Sequence, residues 1–219
     1  MEELYLIRKE RINPMLIEKS FNDFLGELAS RSPVPGGGSV AALSASLASA
    51  LTEMVANLTI GKKGFEKVQE EMKMISRESA DYREKFLKDI DKDAEAFSRV
   101  MDAFKLPKNT QEEIIKRKKI IQEEFKNAAL VPLEVAEDTL KLMELTSKVV
   151  EMGNKNAISD GTVAAMMARS AVLGALSNVK INLQSIKDED FVNKALKKVH
   201  KIEANVIEEE KKIISNVGL

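Results

Sequence analysis

An all-α fold is predicted by three features of the sequence. Apolar residues recur at three- and four-residue spacings along most of the chain. No stretch shows the alternating β-branched pattern of a half-buried strand. Helix-starting and helix-stopping residues punctuate the periodic segments, and no low-complexity linker divides them. Residues 1–219 therefore read as one domain, a multihelical bundle with long amphipathic helices.

Ser20 is placed to cap a short helix over 21–30, with Phe21, Phe24, Leu25 and Leu28 on one face. The segment PVPGGGS (33–39) forms a permissive turn, in which Gly36, Gly37 and Gly38 can reach backbone angles closed to other residues or admit close approach of another group. Ser39 is the expected N-cap of a small-residue helix running to about residue 59 and stopping near Gly61. Its ridges Ala41, Ala45, Ser49 and Ala42, Ser46, Ala50 suit buried helix packing, or equally a dimer seam. A long amphipathic helix then carries Phe65, Met72, Ile75, Phe86, Ile90, Phe97, Met101 and Phe104, and Pro107 ends it.

Thr110 and Glu113 have the spacing of a capping box for the next helix, which Pro132 should kink or split near Ala128. A further helix over 133–152 stops at Gly153 and Asn154, and Ser159 or Asp160 opens another to about residue 185. The last helix runs almost to the end. "GSVAALSA" (38–45) is echoed by "GTVAAMMA" (161–168), each with an Asn further on, Asn57 and Asn178. Chance or shared packing demands account for such an echo more readily than a duplication does.

Composition removes several classes of function. Lys plus Arg (34) nearly balance Asp plus Glu (35), so no global field favours nucleic acid or an anionic membrane. No cysteine is present, which excludes disulfides, zinc–thiolate sites and cysteine nucleophiles, and suits a cytoplasmic setting. The charged start MEELYLIRKER lacks the apolar run of a secretory leader, and the longest uncharged stretch, 32–52, is rich in Gly, Pro, Ser and Ala. A soluble protein is expected.

Gly36 to Ala41 formally matches G-x-G-x-x-A, but a helix and two prolines precede it where a dinucleotide fold needs a strand. The turn can bind an anion or polar ring, or let helices cross tightly. Asp93 lies between Ile90 and Phe97 on an apolar stripe, with Asp89 and Asp91 close by. A carboxylate there is either paired, with Arg169 or a lysine, or desolvated and fit for proton transfer. Lys62 and Lys63 occupy a glycine-flanked loop that can be merely solvated or can grip a carboxylate. The single histidine, His200, sits among lysines as a surface residue, so acid–base chemistry falls to carboxylates or lysines.

The segments SFNDFLGELASRSPVPGGGSVAALSASLASALTEMVANLTIGKK, DIDKDAEAF, LPK, VPLEVA, GNKNAISDGTVAA and NVKINL occur in that order between residues 20 and 183. Together they resemble the formiminotetrahydrofolate cyclodeaminase and methenyltetrahydrofolate cyclohydrolase family. The resemblance implies a helical homodimer, a reduced-folate substrate, no metal and no cofactor beyond the tetrahydrofolate. It carries over Pro35, Gly36, Gly37, Gly38, Ser39, Asn57, Lys62, Lys63 and Asn178 as substrate contacts. Asp93 is the expected acid–base, with Asp160 or Asp91 orienting substrate or balancing cationic charge. Cyclodeamination with ammonia release is the preferred activity and cyclohydrolysis the alternative. A non-catalytic helical dimer, binding a folate or scaffolding partners, is the reading from another class.

Overall fold

The structure, a computed structural model, describes residues 15–217. The charged segment MEELYLIRKER, on which the expectation of no leader rests, lies outside the described residues. Among the described residues there are six α-helices and no strands: α1 (Phe21–Leu28), α2 (Gly37–Asn57), α3 (Gln69–Lys105), α4 (Gln111–Met152), α5 (Ile158–Leu183) and α6 (Glu189–Ser215).

Helix ends follow local chemistry. The Ser20 side chain accepts from the Asp23 amide, and Thr110 and Glu113 form both bonds of a capping box at the start of α4. Two starts differ from expectation. Gly36 is the N-cap of α2, so Ser39 is its third helical residue, free to use its hydroxyl elsewhere. Ala157 precedes α5, which puts Asp160 in the first turn, where a carboxylate favours the positive end of the helix dipole.

Pro132 does not split α4, which runs unbroken from 111 to 152. The bundle carries the helix across the proline because a side chain from α5 takes up the carbonyl that the missing N–H leaves free.

Helices α2 and α5 form the central pair. They run antiparallel: the side chain of Asn178 lies against Gly37, and an added Cβ on Gly174 would touch Ala41 at 3.5 Å. Ala41, Ala42, Ala45, Ser46, Ala48 and Ser49 are buried, as are Ala164, Ala165, Ala168, Ala171 and Ala175. These short side chains let the two axes approach closely and fill the contact without bulk. Helices α3 and α4 pack around this pair, and α6 closes the far side against α5 and α4. Phe86, Met72, Ile75, Leu142, Met143, Leu176 and Ile213 supply the large core side chains. By length and composition α2 and the 155–183 segment are apolar enough to cross a membrane, but about half of each window is buried inside the bundle. Their apolar character serves the core on one side and an exposed stripe on the other.

Candidate functional site

The turn before α2 delivers its first amides and the end of its backbone to the middle of α3. Gly38 and Ser39 are buried, Gly37 is exposed, and Pro35 follows a cis peptide bond. None of Gly36, Gly37 and Gly38 has a positive φ; among the described residues only Gly61 and Gly64 do. Of the two roles expected of the three glycines, unusual backbone angles and close approach, the structure shows the second. A Cβ on Gly38 would sit 2.0 Å from Oδ1 and 2.4 Å from Cγ of Asp93. The carboxylate fills the space that any other residue's side chain would occupy.

Ser39 holds that carboxylate. Its hydroxyl proton is shared between Oδ2 of Asp93 at 3.2 Å and the Ile90 carbonyl at 3.0 Å, while its backbone N–H also donates to Asp93. The acid on α3 therefore caps the N-terminus of α2 from outside, using an amide that has no partner within its own helix. Burial pushes the Asp93 carboxyl above the ordinary aspartate value, and the two Ser39 hydrogen bonds oppose the rise without cancelling it. Arg169, the cation considered as its partner, instead pairs with Glu210 at 3.1 Å. Among the described residues no ion pair includes Asp93.

Asn178 completes this end. Its Nδ2 would lie 3.2 Å from a Cβ on Gly37, and it donates to the Gly174 carbonyl at 2.9 Å. Beyond Asp93 the same face of α3 continues through Phe97, Met101 and Phe104, which are 39%, 42% and 45% exposed. One open surface thus combines a desolvated carboxylate, bare glycine backbone, an amide side chain and apolar rings.

The other expected site residues lie elsewhere in the chain. Asp91, two positions from Asp93 and so rotated by about 200° around the helix, accepts from the amides of Leu16 (2.6 Å) and Ile17 (3.4 Å). It anchors the 3-10 turn at Leu16–Glu18. Asn57 is exposed at the C-terminal end of α2 and accepts from Ser76. Lys62 donates to Asn154 at 2.6 Å and lies 5.8 Å from the centre of the Phe65 ring. Lys63 is exposed in the same loop. Asp160 is half-buried at the start of α5. With a rise of about 1.5 Å per residue, this second group stands roughly 30 Å along α2 from the glycine turn.

Asn154 is a member of that second group that sequence reading treated only as a helix stop. It is buried, its backbone N–H donates to the Thr59 hydroxyl oxygen at 2.9 Å, and its side chain donates to the Leu58 carbonyl while accepting from Lys62 and Asn156. The signal was its place in GNKNAISDG, where a plain stop needs only the glycine.

The chain is similar to several known proteins. A family model described as formiminotransferase-cyclodeaminase matches residues 20–201. The methenyltetrahydrofolate cyclohydrolase of Methylorubrum extorquens is 40% identical over 181 residues, 83% of this chain and 87% of its own length. The formimidoyltransferase-cyclodeaminase of Mus musculus is 36% identical over 190 residues, 87% of this chain, which thereby spans only 35% of that longer protein. The crystal structure of a formiminotetrahydrofolate cyclodeaminase from Thermotoga maritima superposes with a TM-score of 0.82 at 34% identity, covering 91% of this chain and 96% of that one.

Proposed function

Because the chain belongs to the formiminotransferase-cyclodeaminase family, we propose that it acts on a tetrahydrofolate as a formiminotetrahydrofolate cyclodeaminase, releasing ammonia to form 5,10-methenyltetrahydrofolate. The observation that carries this reading is Asp93 seated on Gly38 and held by Ser39 at an open, apolar-edged surface.

The chemistry asks for one movable proton. The folate's arylamine nitrogen, N10, attacks the carbon of the protonated formimino group on N5. The N10 proton passes to the Asp93 carboxylate, leaving a neutral tetrahedral carbon that bears an amino group. Asp93 returns the proton to that amino group, which departs as ammonia, and the bridged methenyl cation remains. Charge and protons balance and no electron is transferred, so the folate itself is the only organic group the reaction requires. A carboxyl raised by burial suits both halves of this exchange, since its affinity for the proton lies closer to neutrality. The exposed Gly37 backbone and the Asn178 amide offer hydrogen bonds to the polar edge of the pterin, and Phe97 an apolar face beside it.

Cyclohydrolysis passes through the same tetrahedral carbon, with water adding to the methenyl bridge before one carbon–nitrogen bond breaks. It is the second reading, favoured by the 40% identity to a cyclohydrolase matched over 87% of its length. Measuring ammonia released from formiminotetrahydrofolate beside decay of methenyltetrahydrofolate absorbance distinguishes the two. Turnover of neither substrate, with no binding of a reduced folate at high micromolar concentration, would leave the non-catalytic helical dimer.

The reading includes a homodimer. Leu47 and Met54 on α2, Leu58 just past its end, and Val163, Met166 and Ile181 on α5 are exposed apolar side chains on adjacent antiparallel helices. A copy laid across this face by a two-fold axis perpendicular to the helices brings the Asn57, Lys62, Lys63 and Asp160 end of one protomer towards the Asp93 end of its partner. Lysines at that position meet the glutamate carboxylates of the folate tail while the pterin lies at Asp93.

A further inference from the structure

We propose that Asn182 is a positioning residue of the site, working through the carbonyl that Pro132 leaves without its helical partner. Residue 132 of a continuous helix would donate its N–H to the Ala128 carbonyl, and proline has none to give. Asn182 supplies the missing donor from α5: its Nδ2 lies 2.9 Å from the Ala128 carbonyl and 3.0 Å from the carbonyl of Asn178. One amide group thereby ties α4 to the turn of α5 that carries Asn178. That turn is the one whose side chain lies against Gly37.

The tie sits level with the site. Ala128 is buried with Ala96 and Val100 of α3, and Ala96 is three residues beyond Asp93. Helices α3 and α5, which supply the glycine turn's neighbours Asp93 and Asn178, therefore both meet α4 at Ala128. A rotation of the α5 end by a fraction of a turn would withdraw Asn178 from Gly37. The VPLEVA and NVKINL segments, about fifty residues apart, act together because one creates the free acceptor and the other fills it. This role rests on the folate reading only for its kinetic consequence.

The test separates positioning from mere satisfaction of a buried carbonyl. Asn182→Ala removes the tie and leaves the carbonyl bare; Asn182→Ala with Pro132→Ala restores a helical N–H to that carbonyl but not the tie to α5. Thermal stability, kcat, KM and deuterium uptake of residues 33–41 are measured for wild type, both single variants and the double variant. Stability should fall in Asn182→Ala and return in the double variant, which also keeps the experiment usable if the single variant folds poorly. kcat/KM should stay reduced by about tenfold to a hundredfold in both variants lacking Asn182, with faster uptake at residues 36–39. A double variant returning to wild type in both activity and uptake overturns the proposal, as does Asn182→Ala with kcat/KM and uptake unchanged. If the wild type turns over neither folate, the uptake comparison alone decides the positioning role.

Discussion

Asp93 occupies the place of the side chain that Gly38 does not have: an ideal Cβ there would lie 2.0 Å from its Oδ1 and 2.6 Å from its Oδ2. The two residues are 55 positions apart on different helices, yet no side chain can enter at position 38 unless the carboxylate moves. Gly38→Ala should displace the carboxylate from Ser39 and lower kcat/KM by about a hundredfold, the scale of an ångström-sized misplacement. Folding should survive, because alanine is the better helix residue at that position. Gly26 in α1 is the internal control. An added Cβ there would meet nothing within 4 Å, so Gly26→Ala should retain activity within about twofold and stabilise its helix by up to about 1 kcal/mol. Steady-state kinetics and thermal melts of the two variants provide the check.

In the proposed proton transfer, burial and Ser39 act on Asp93 in opposite directions. Burial raises the carboxyl above its ordinary value and the Ser39 hydroxyl and amide pull it back. The ionised form accepts the first proton, so kcat/KM should fall as pH drops through this raised value. The acid limb therefore lies above the usual aspartate range. Ser39→Ala removes one of the two opposing hydrogen bonds, and the limb should move to higher pH. A limb that stays in place, measured across a pH series with the same substrate, separates Asp93 from proton transfer.

The same burial has a consequence for stability with a definite sign. A carboxyl whose folded value lies above its unfolded one contributes fully below the unfolded value and loses that contribution as pH rises through the folded one. Asp93→Asn escapes this loss. The variant should be inactive and melt at a higher temperature than wild type near neutrality, with the advantage shrinking as the solution is acidified. Melts at neutral and acid pH, compared pairwise, test the sign.

Much of this architecture is legible in the sequence, and the misreadings share a cause. Ser20, the Thr110–Glu113 box and the Gly153 stop act on backbone within a few residues, so local spacing identifies them. Asp93 is conspicuous as a carboxylate on an apolar stripe. Pro132 looks like a break because its compensation, the Asn182 side chain, comes from a helix fifty residues later. The three glycines offer unusual backbone angles and close approach alike, and the structure uses only the second, at Gly37 and Gly38, with ordinary backbone angles. The resemblance groups Asn57, Lys62, Lys63 and Asp160 with the glycine turn as parts of one site. The antiparallel register of α2 and α5, with Gly37 beside Asn178, puts them at the opposite end.

That separation makes the homodimer testable by complementation. Asp93→Asn damages one end of the protomer, and Lys62→Ala with Lys63→Ala damages the other. If each complete site draws one end from each subunit, mixed dimers of the two inactive proteins contain one site free of all three substitutions. Unfolding and refolding them together should recover about a quarter of wild-type activity, from half of the dimers being mixed with one intact site each. Recovery near zero, with mixed dimers demonstrated by differential tagging, would place both ends of the site within one protomer. Light scattering of the wild type gives the oligomeric state directly.

Stability away from the site depends on Lys85, which is surrounded by acids from two helices. Its Nζ lies 2.7 Å from both Glu134 and Asp138 on α4, and 3.6 Å from the buried Asp89 one turn along α3. Burial opposes the charge on Lys85, but the bonds to Asp138 and Glu134 prevail and hold it more basic than usual. For Asp138, burial alone would raise the carboxyl, yet the bonds from Lys141 and Lys85 bring it below its ordinary value. Lys85→Met leaves these carboxylates facing one another, with Lys92 and Lys141 still on Asp89 and Asp138. Breaking a fully buried pair costs about 3–5 kcal/mol, and with Lys85 32% exposed a loss of about 2–3 kcal/mol is expected. The pH dependence follows from the depressed Asp138: its contribution is present above the ordinary aspartate range and disappears as pH falls through the lowered value. In Lys85→Met that acid loss should begin at higher pH, because one of the two cations holding Asp138 down is gone. Urea unfolding of wild type and variant between neutral and acid pH measures both the offset and the shift, and coincident curves would show that Lys141 alone sustains the network.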